Sequence, residues 1–521
     1  MQPDALTEMT AAARKAANYR GKPFPQTHPD RLATMARLHG LAAKPPEQCR
    51  VLELGCGDGG NVIPMAFELQ GSEFVGVDLD TERIETGARW ARELGLRNIK
   101  LEARDISDIG DEYGKFDYVV AHGVYCWVPA PVRDRLFDVC GSLLLPQGLA
   151  TVSFNAKPGW HFLEYLRDFA LLVAPNGDNP SPEALLKSIR GLAQLYAQEQ
   201  PGEAAQAQHL KQLFGRLATT SDYLLAFDYL GEISEPVSLS DFVAHAAEHE
   251  LRYVGDANYF ETEWRRLPKR VRGALAGLNN EVARESFADC FTGRLFRRAL
   301  LCHATAALRT PSAEQVKTFQ VLGNVKPIGN AGPASSEAPA SFEMLHGSKL
   351  SVSLPIVKAA LSLLSEAWPS SLSFRALLAR ALTQVPSVTP EQAEQVLTAA
   401  IWDMYSVGAL ELRWSAPICS AAPGDRPYAS LLARSQLAFG DAVTNRHHDF
   451  TRLGDPMSRE IFLRLDGEHD RARIATELLE LTQAGELELA PESANLAALE
   501  DAVEERLAVW AKHALICPQP P

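Results

Sequence analysis

The sequence predicts an α/β fold: a Rossmann-like, doubly wound sheet, then a helical middle region and a C-terminal winged-helix-like domain. Three observations carry that reading. The apolar run Val51-Leu52-Glu53-Leu54 passes directly into Gly55-Cys56-Gly57-Asp58-Gly59. A second run, Phe74-Val75-Gly76-Val77, ends in Asp78, at the spacing of about 20 residues at which such sheets place a ribose-binding acid. Strand and helix patterns alternate between residues 48 and 155, which predicts a parallel sheet covered by helices on both faces.

The elements follow in order. Residues 1–45 form a lead-in with Tyr19 and the run Pro23 to Leu32, whose three prolines forbid a regular helix until about Pro29. Residues 46–160 hold strands at Arg50–Leu54, Glu73–Val77, Ile99–Ala103, Phe116–Ala121 and Leu149–Phe154, with helices at Asn61–Leu69 and Thr81–Leu94. Residues 161–322 read as mostly helical, interrupted by Leu251–Gly255 and Arg297–Cys302 as the last two strands. The Gly-, Pro-, Ala- and Ser-rich stretch over 323–345 has no periodicity and reads as a linker. In 346–521, helices at Leu354–Glu366, Phe374–Leu382 and Pro390–Tyr405 precede an extended Gly408–Trp414, the order of a small winged-helix-like module. The chain then ends in an amphipathic helix with Leu496, Leu499, Val503, Leu507 and Trp510 on one side.

Composition narrows the partners. A chain of 521 residues divides into two to four domains. No apolar run reaches membrane-spanning length, and Met1 to Arg20 lack a signal-peptide core. The eight cysteines include no C-x-x-C pair, so a disulfide framework is not expected and a reducing cytoplasm is. The net charge of −14 repels nucleic acid and attracts a cationic, lysine-bearing protein. Within the winged-helix-like module Lys358, Arg375, Arg380 and Arg413 are outnumbered by acids, so no nucleic-acid partner is expected.

The ligand is read from what the loop lacks. A dinucleotide seats its pyrophosphate on such a turn. S-adenosylmethionine has no phosphate and needs groups for its ammonium and carboxylate instead. Gly55, Gly57 and Gly59 let the backbone approach the ligand. Asp78 would accept from both ribose hydroxyls. Asp105 would accept from the adenine amine, with Ile106 packed on the ring; Asp105 as a helix N-cap is the competing reading. The fourth strand leads into His122-Gly123-Val124-Tyr125-Cys126-Trp127, and the fifth into Asn155 and, further on, Trp160. The Asn/Asp-Pro-Pro-aromatic run of nucleobase amine methylation is absent there. Tyr125, His122 and Asn155 are the candidates for orienting an acceptor amine. Trp127 and Trp160 would face a methylammonium, or else serve interdomain packing.

The Glu53-Leu54-Gly55-Cys56-Gly57 run resembles motif I of class I methyltransferases. Pro23 to Leu32, His122-Gly123-Val124-Tyr125, Pro158-Gly159-Trp160, Asp241 to His249, Leu295 to Cys302 and Leu465-Asp466-Gly467 resemble bacterial methyltransferases with a methyltransferase regulatory domain. That group includes the rickettsial-type protein lysine methyltransferases that modify outer-membrane proteins. The resemblance spans nearly the whole chain. It implies S-adenosyl-L-methionine as cofactor, a protein substrate such as an outer-membrane or surface protein, and a homodimer. The chain departs from the group at Ala156-Lys157, where Thr-Tyr is usual, and at Cys126, where Ser is common. The expected cofactor set is Tyr19, His28, Glu53, Gly55, Cys56, Gly57, Gly59, Asn61, Asp78, Leu79, Asp105, Ile106 and His122, with Tyr19 and His28 closing over the methionine part. Two other functions stay open: methylation of a small molecule, and cofactor sensing without turnover.

One motif points elsewhere. His245-Ala246-Ala247-Glu248-His249 matches the H-x-x-E-H pattern of inverted zinc proteases. Leu239, Phe242, Val243 and Ala246 make this an amphipathic packing helix, Ser238 and Asp241 suit its N-terminus, and no third ligand is identifiable. No metal is therefore expected.

Overall fold

A computed structural model describes residues 20–173, 181–202, 204–262, 264, 267–329, 335–336, 338–344 and 347–518. Tyr19 lies outside the described residues. Seven strands form the central sheet: β1 (Arg50–Leu54), β2 (Glu73–Asp78), β3 (Ile99–Ala103), β4 (Phe116–Ala121), β5 (Leu144–Asn155), β6 (Leu251–Asp256) and β7 (Phe296–His303). Their order is β3-β2-β1-β4-β5-β7-β6. The first five run parallel. The sheet is nonetheless mixed, because β7 enters between β5 and β6 antiparallel to both. β5 begins five residues earlier than expected and takes in Leu145-Pro146-Gln147-Gly148; its register against β4 shifts between Phe116 and Tyr118, which accommodates that turn-like run.

Side-chain alternation sends consecutive strand residues to opposite faces. Val51, Phe74, Tyr118 and Leu300 face one core, and Leu52, Val75, Val119 and Leu301 the other. The first face is covered by α1 (Pro29–Leu38) and α2 (Val62–Glu68), and the second by α4 (Ala130–Leu143) and α8 (Leu239–Glu248); α3 (Thr81–Glu93) links β2 to β3. The middle region adds α5 (His161–Val173), α6 (Pro182–Gln198) and α7 (Ala205–Thr219), which bury their own cluster around Leu166, Leu185 and Phe214. α9 (Glu281–Thr292) precedes β7.

The stretch expected as a linker contributes two short strands, Lys326–Ile328 and Ala340–Glu343, paired antiparallel to each other. The helices α10 (Pro355–Ala367), α11 (Phe374–Gln384) and α12 (Pro390–Ser406) follow. Phe342, Leu364 and Ile401 join the same core cluster as Val51 and Leu32, so this module packs into the core that covers one sheet face. Lys358 is buried there, donating to the carbonyls of Ser336 and Ala338. Arg413 is also buried. Two of the module's four cations are thus withdrawn from any phosphate-binding surface. The last long helix, α13 (Leu496–Lys512), buries Leu499, Val503, Leu507 and Trp510 as expected, while Leu496 at its first position is exposed. No helix among the described residues is long and apolar enough to cross a membrane.

Candidate cofactor and acceptor site

The glycine loop leaves β1 in the left-handed region, with φ of +72° at Gly55, +59° at Gly57 and +77° at Gly59, where a Cβ is strained. The sequence reading gave ligand clearance as the reason for these glycines. The structure gives a second one. A Cβ on Gly55 would sit 2.5 Å from Val124 Cγ2, and one on Gly59 would sit 2.7 Å from Ile63 Cδ1. At Gly57 a Cβ would meet the Arg83 guanidinium. Gly60 carries a requirement of its own: its backbone lies against Gly21 of the lead-in, whose amide donates to Asp58 Oδ1 at 2.9 Å.

Asp78 closes β2 beside this loop. Its Oδ2 accepts from the Gly57 amide at 2.7 Å and its Oδ1 from the Asp80 amide at 2.9 Å. Each oxygen keeps further acceptor capacity. Leu79 is 73% exposed next to it. Asp105 accepts from the Ser107 amide and caps a short turn over Ile106–Asp108; this is its N-cap reading, using one of its two oxygens. Ile106 packs on the edge of the second core. Cys56 is buried and starts the turn after β1, and burial holds its thiol well above the usual range.

Behind the loop lies a buried polar network. Asn61 Nδ2 donates to Glu53 Oε1 at 2.7 Å, and Asn61 Oδ1 accepts from the Phe24 amide at 2.9 Å. The Thr27 hydroxyl donates to Asn61 Oδ1 and accepts from Asn61 Nδ2. His28 caps α1 through its Nδ1. His448, from the far end of the chain, completes the set: its Nε2 lies 2.9 Å from Asn61 Oδ1 and its ring 4.9 Å from that of His28. No sequence signal points to His448, since 387 positions separate it from Asn61. Burial pushes Glu53 up to about 8, against the opposing pull of Asn61. Burial, with Arg413 nearby, pushes His28 down to about 3.

Three expected site residues carry buried polar atoms with no partner among the described residues: His28 Nε2, Glu53 Oε2 and Asn155 Nδ2. Buried polar atoms are costly unless paired, so these positions suit a polar ligand. The residues therefore fit S-adenosylmethionine: Asp78 for the ribose, the left-handed backbone turn beside it, and open polar atoms for an amino-acid group.

At the acceptor end the expected residues separate. His122 packs on Phe24 with the rings tilted by 39° and their centres 3.9 Å apart, and meets Phe296 edge-on at 5.7 Å. Asn155 ends β5 and is buried. Tyr125 is instead drawn into the core between α4 and α8, where its ring packs on Phe137 and Phe242 and its hydroxyl lies 2.8 Å from His245 Nδ1. Trp127 and Trp160 pack edge-to-face at 6.5 Å within the middle-region cluster. That placement is the packing alternative for both, because α5 to α7 supply the apolar surface these rings cover. A cavity of about 440 Å³ opens beside Asp58 and Gly60, lined also by Arg20, Lys22, Trp90, Phe439 and Phe450. Lead-in, sheet domain and C-terminal region all meet there.

Family models match three successive parts of the chain: a methyltransferase domain over 51–148, a predicted methyltransferase regulatory domain over 221–303 and the C-terminal winged helix domain of PKMT over 425–517. The winged helix thus matches C-terminal to the module expected to hold it. The uncharacterized protein RP789 of Rickettsia prowazekii (strain Madrid E) is 31% identical over 488 residues, 91% of this chain and 87% of that one. The structure of PKMT2 from Rickettsia typhi superposes with a TM-score of 0.87 at 26% identity, covering 96% of this chain and 99% of that one. The chain belongs to the rickettsial-type, PKMT-like class I methyltransferases. PKMT2 has also been solved in complex with AdoHcy. This PKMT-like chain is accordingly an S-adenosylmethionine-dependent methyltransferase.

Proposed function

We propose that this enzyme methylates the ε-amine of lysine in a protein substrate. The supporting observation is likeness to PKMT2 over 96% of the chain, together with the PKMT winged helix domain over 425–517. The bound cofactor supplies an electrophilic methyl on its sulfonium. The chain's part is to hold the nucleoside, position the amine and favour its neutral form. A free lysine titrates near 10.4, so deprotonation at pH 7 costs about 4–5 kcal/mol, and an apolar mouth lowers that cost by desolvation. His122 is held down to about 3 by burial and Arg298. Its ring therefore takes up no proton near neutrality; it orients the amine through a nitrogen lone pair, and the proton leaves to water. Asn155 supplies the second polar contact. Positioning supplies most of the acceleration.

The same reading assigns an outer-membrane or surface protein as acceptor, with the enzyme acting as a cytoplasmic homodimer. Incubating the purified chain with methyl-labelled cofactor and a bacterial lysate tests it. Label in protein bands that hydrolyses to methyl-lysine is the expected result, and Asp78→Ala abolishes it. Label confined to small solutes makes the enzyme a small-molecule methyltransferase. Cofactor binding with no transfer leaves a sensing role.

A further inference from the structure

The H-x-x-E-H run acquires in the fold the third ligand it lacked in the sequence. His245 on α8 and His249 at its C-cap, one turn apart, face Asp134 and Asp138, one turn apart on α4. His245 Nε2 lies 2.9 Å from Asp134 Oδ1, and His249 Nδ1 lies 2.8 Å from Asp138 Oδ1. Ligand atoms of Asp134, His245 and His249 all fall within 4.8 Å of one another.

Each histidine has one ring nitrogen held from behind. Tyr125 Oη engages Nδ1 of His245 at 2.8 Å, and Asp138 engages Nδ1 of His249. That is how metal-ligating histidines are oriented: an outer group fixes one nitrogen and aims the other. Two imidazoles and one carboxylate suit zinc and its neighbours rather than calcium or magnesium. The Asp134 side chain is 58% exposed, which leaves an approach from solvent and room for water as a fourth ligand.

We propose that Asp134, His245 and His249 bind a divalent transition metal of the zinc class, with Asp138 and Tyr125 as the groups that orient the two histidines. The metal joins α4 to α8 across the second core. Its role is structural, tying the regulatory region to the turn after β4 through Tyr125. Glu248 of the same run is not among the three clustered ligands.

The test titrates the full chain, after chelator treatment, with cobalt and then zinc. The expected result is one equivalent of cobalt with the intense visible bands of a tetrahedral site, displaced by zinc, and a higher melting temperature with zinc. His249→Ala and Asp134→Asn each weaken binding about 100-fold or more and abolish those bands. Asp138→Asn touches only an orienting group, so it weakens binding about 10–100-fold and keeps the tetrahedral spectrum. His161→Ala, at an exposed histidine elsewhere, binds as the parent does. Circular dichroism and AdoHcy binding confirm that each variant folds. Absence of cobalt or zinc binding overturns the proposal. So does binding that His249→Ala and Asp134→Asn leave unchanged, or a cobalt spectrum that is not tetrahedral.

Discussion

Glu53 shows how a single side chain's environment sets its chemistry. It is fully enclosed, its Oε1 is taken by Asn61, and its pKa stands at about 8. Near neutrality it is therefore mostly a neutral carboxyl, for which glutamine is a close isostere. Glu53→Gln keeps the acceptor for Asn61 and is expected to raise the urea midpoint at pH 7, because on folding the parent must take up a proton that its unfolded state has released. An amide cannot balance a cation, however, whereas Glu53 ionises when the amino group of the cofactor is placed on its open oxygen. Calorimetry with AdoHcy should then show affinity lower by about 10-fold or more, the worth of a charged hydrogen bond. Equal affinities would mean that Glu53 supports the loop without touching the ligand. Gly60 is the opposite case, since the demand there is steric. A Cβ would enter the Gly21 backbone, so Gly60→Ala must move the lead-in away from the loop. Proteolysis of the lead-in should accelerate in that variant and AdoHcy binding should weaken.

Among the elements, β7 and α9 are joined by a buried set of charges. Arg297 on β7 is fully buried and forms paired hydrogen bonds to Asp289, with further bonds to Glu285 and Tyr253. Removing one member of a buried ionic set leaves the others uncompensated, at a cost of about 3–5 kcal/mol. Arg297→Met retains the aliphatic volume and is expected to lose that much in urea unfolding; a loss under about 1 kcal/mol would show that the carboxylates find water instead. This set also marks where the sequence stops being legible. β1 to β4 were readable because each is an apolar run bounded by turn residues, and β6 and β7 because short apolar runs break a helical region. The antiparallel entry of β7 was not, because its register depends on charges on α9 that look like an ordinary solvated face. At Glu53, Gly55 and Asp78 spacing along one chain segment carries the signal, and the fold sets all three around the turn after β1. Tyr125 was misplaced by the same logic: proximity to the end of β4 says nothing about which side of the turn the ring takes, and the apolar surface of Phe137 and Phe242 decided it. His448 was invisible because only the folded chain brings it to Asn61.

Across the whole molecule, burial has set two groups of titrating side chains against each other. His28 and His122 are held at about 3, and His39 and His447 at about 4, chiefly by desolvation. All four are neutral in the folded chain and titrate near 6.5 when unfolded. The unfolded state thus binds more protons below pH 6.5, and stability falls with falling pH by up to about 1.4 kcal/mol per pH unit for each histidine. Glu53 at about 8, Glu285 at about 7 and Asp228 at about 6 act with opposite sign. They bind protons in the folded state at pH values where the unfolded chain has released them. Between their unfolded values near 4 and these raised values, they make the fold more stable as pH falls. The two sets oppose each other between about pH 4.5 and 6.5, so the decline there should be shallow. Below that window the carboxyls are protonated in both states and their opposition ends. The histidines then act alone, joined by Glu411 and Asp466, whose pKa values near 2 add loss in the same direction, and unfolding should become steep between pH 4.5 and 3. On the alkaline side Glu53 titrates between pH 7 and 8 with the tail of Glu285, so the parent should lose stability there and Glu53→Gln should lose less. Urea midpoints measured for both across pH 3 to 9 check each limb; parallel curves above pH 7 would place Glu53 in a wetter site than its burial indicates.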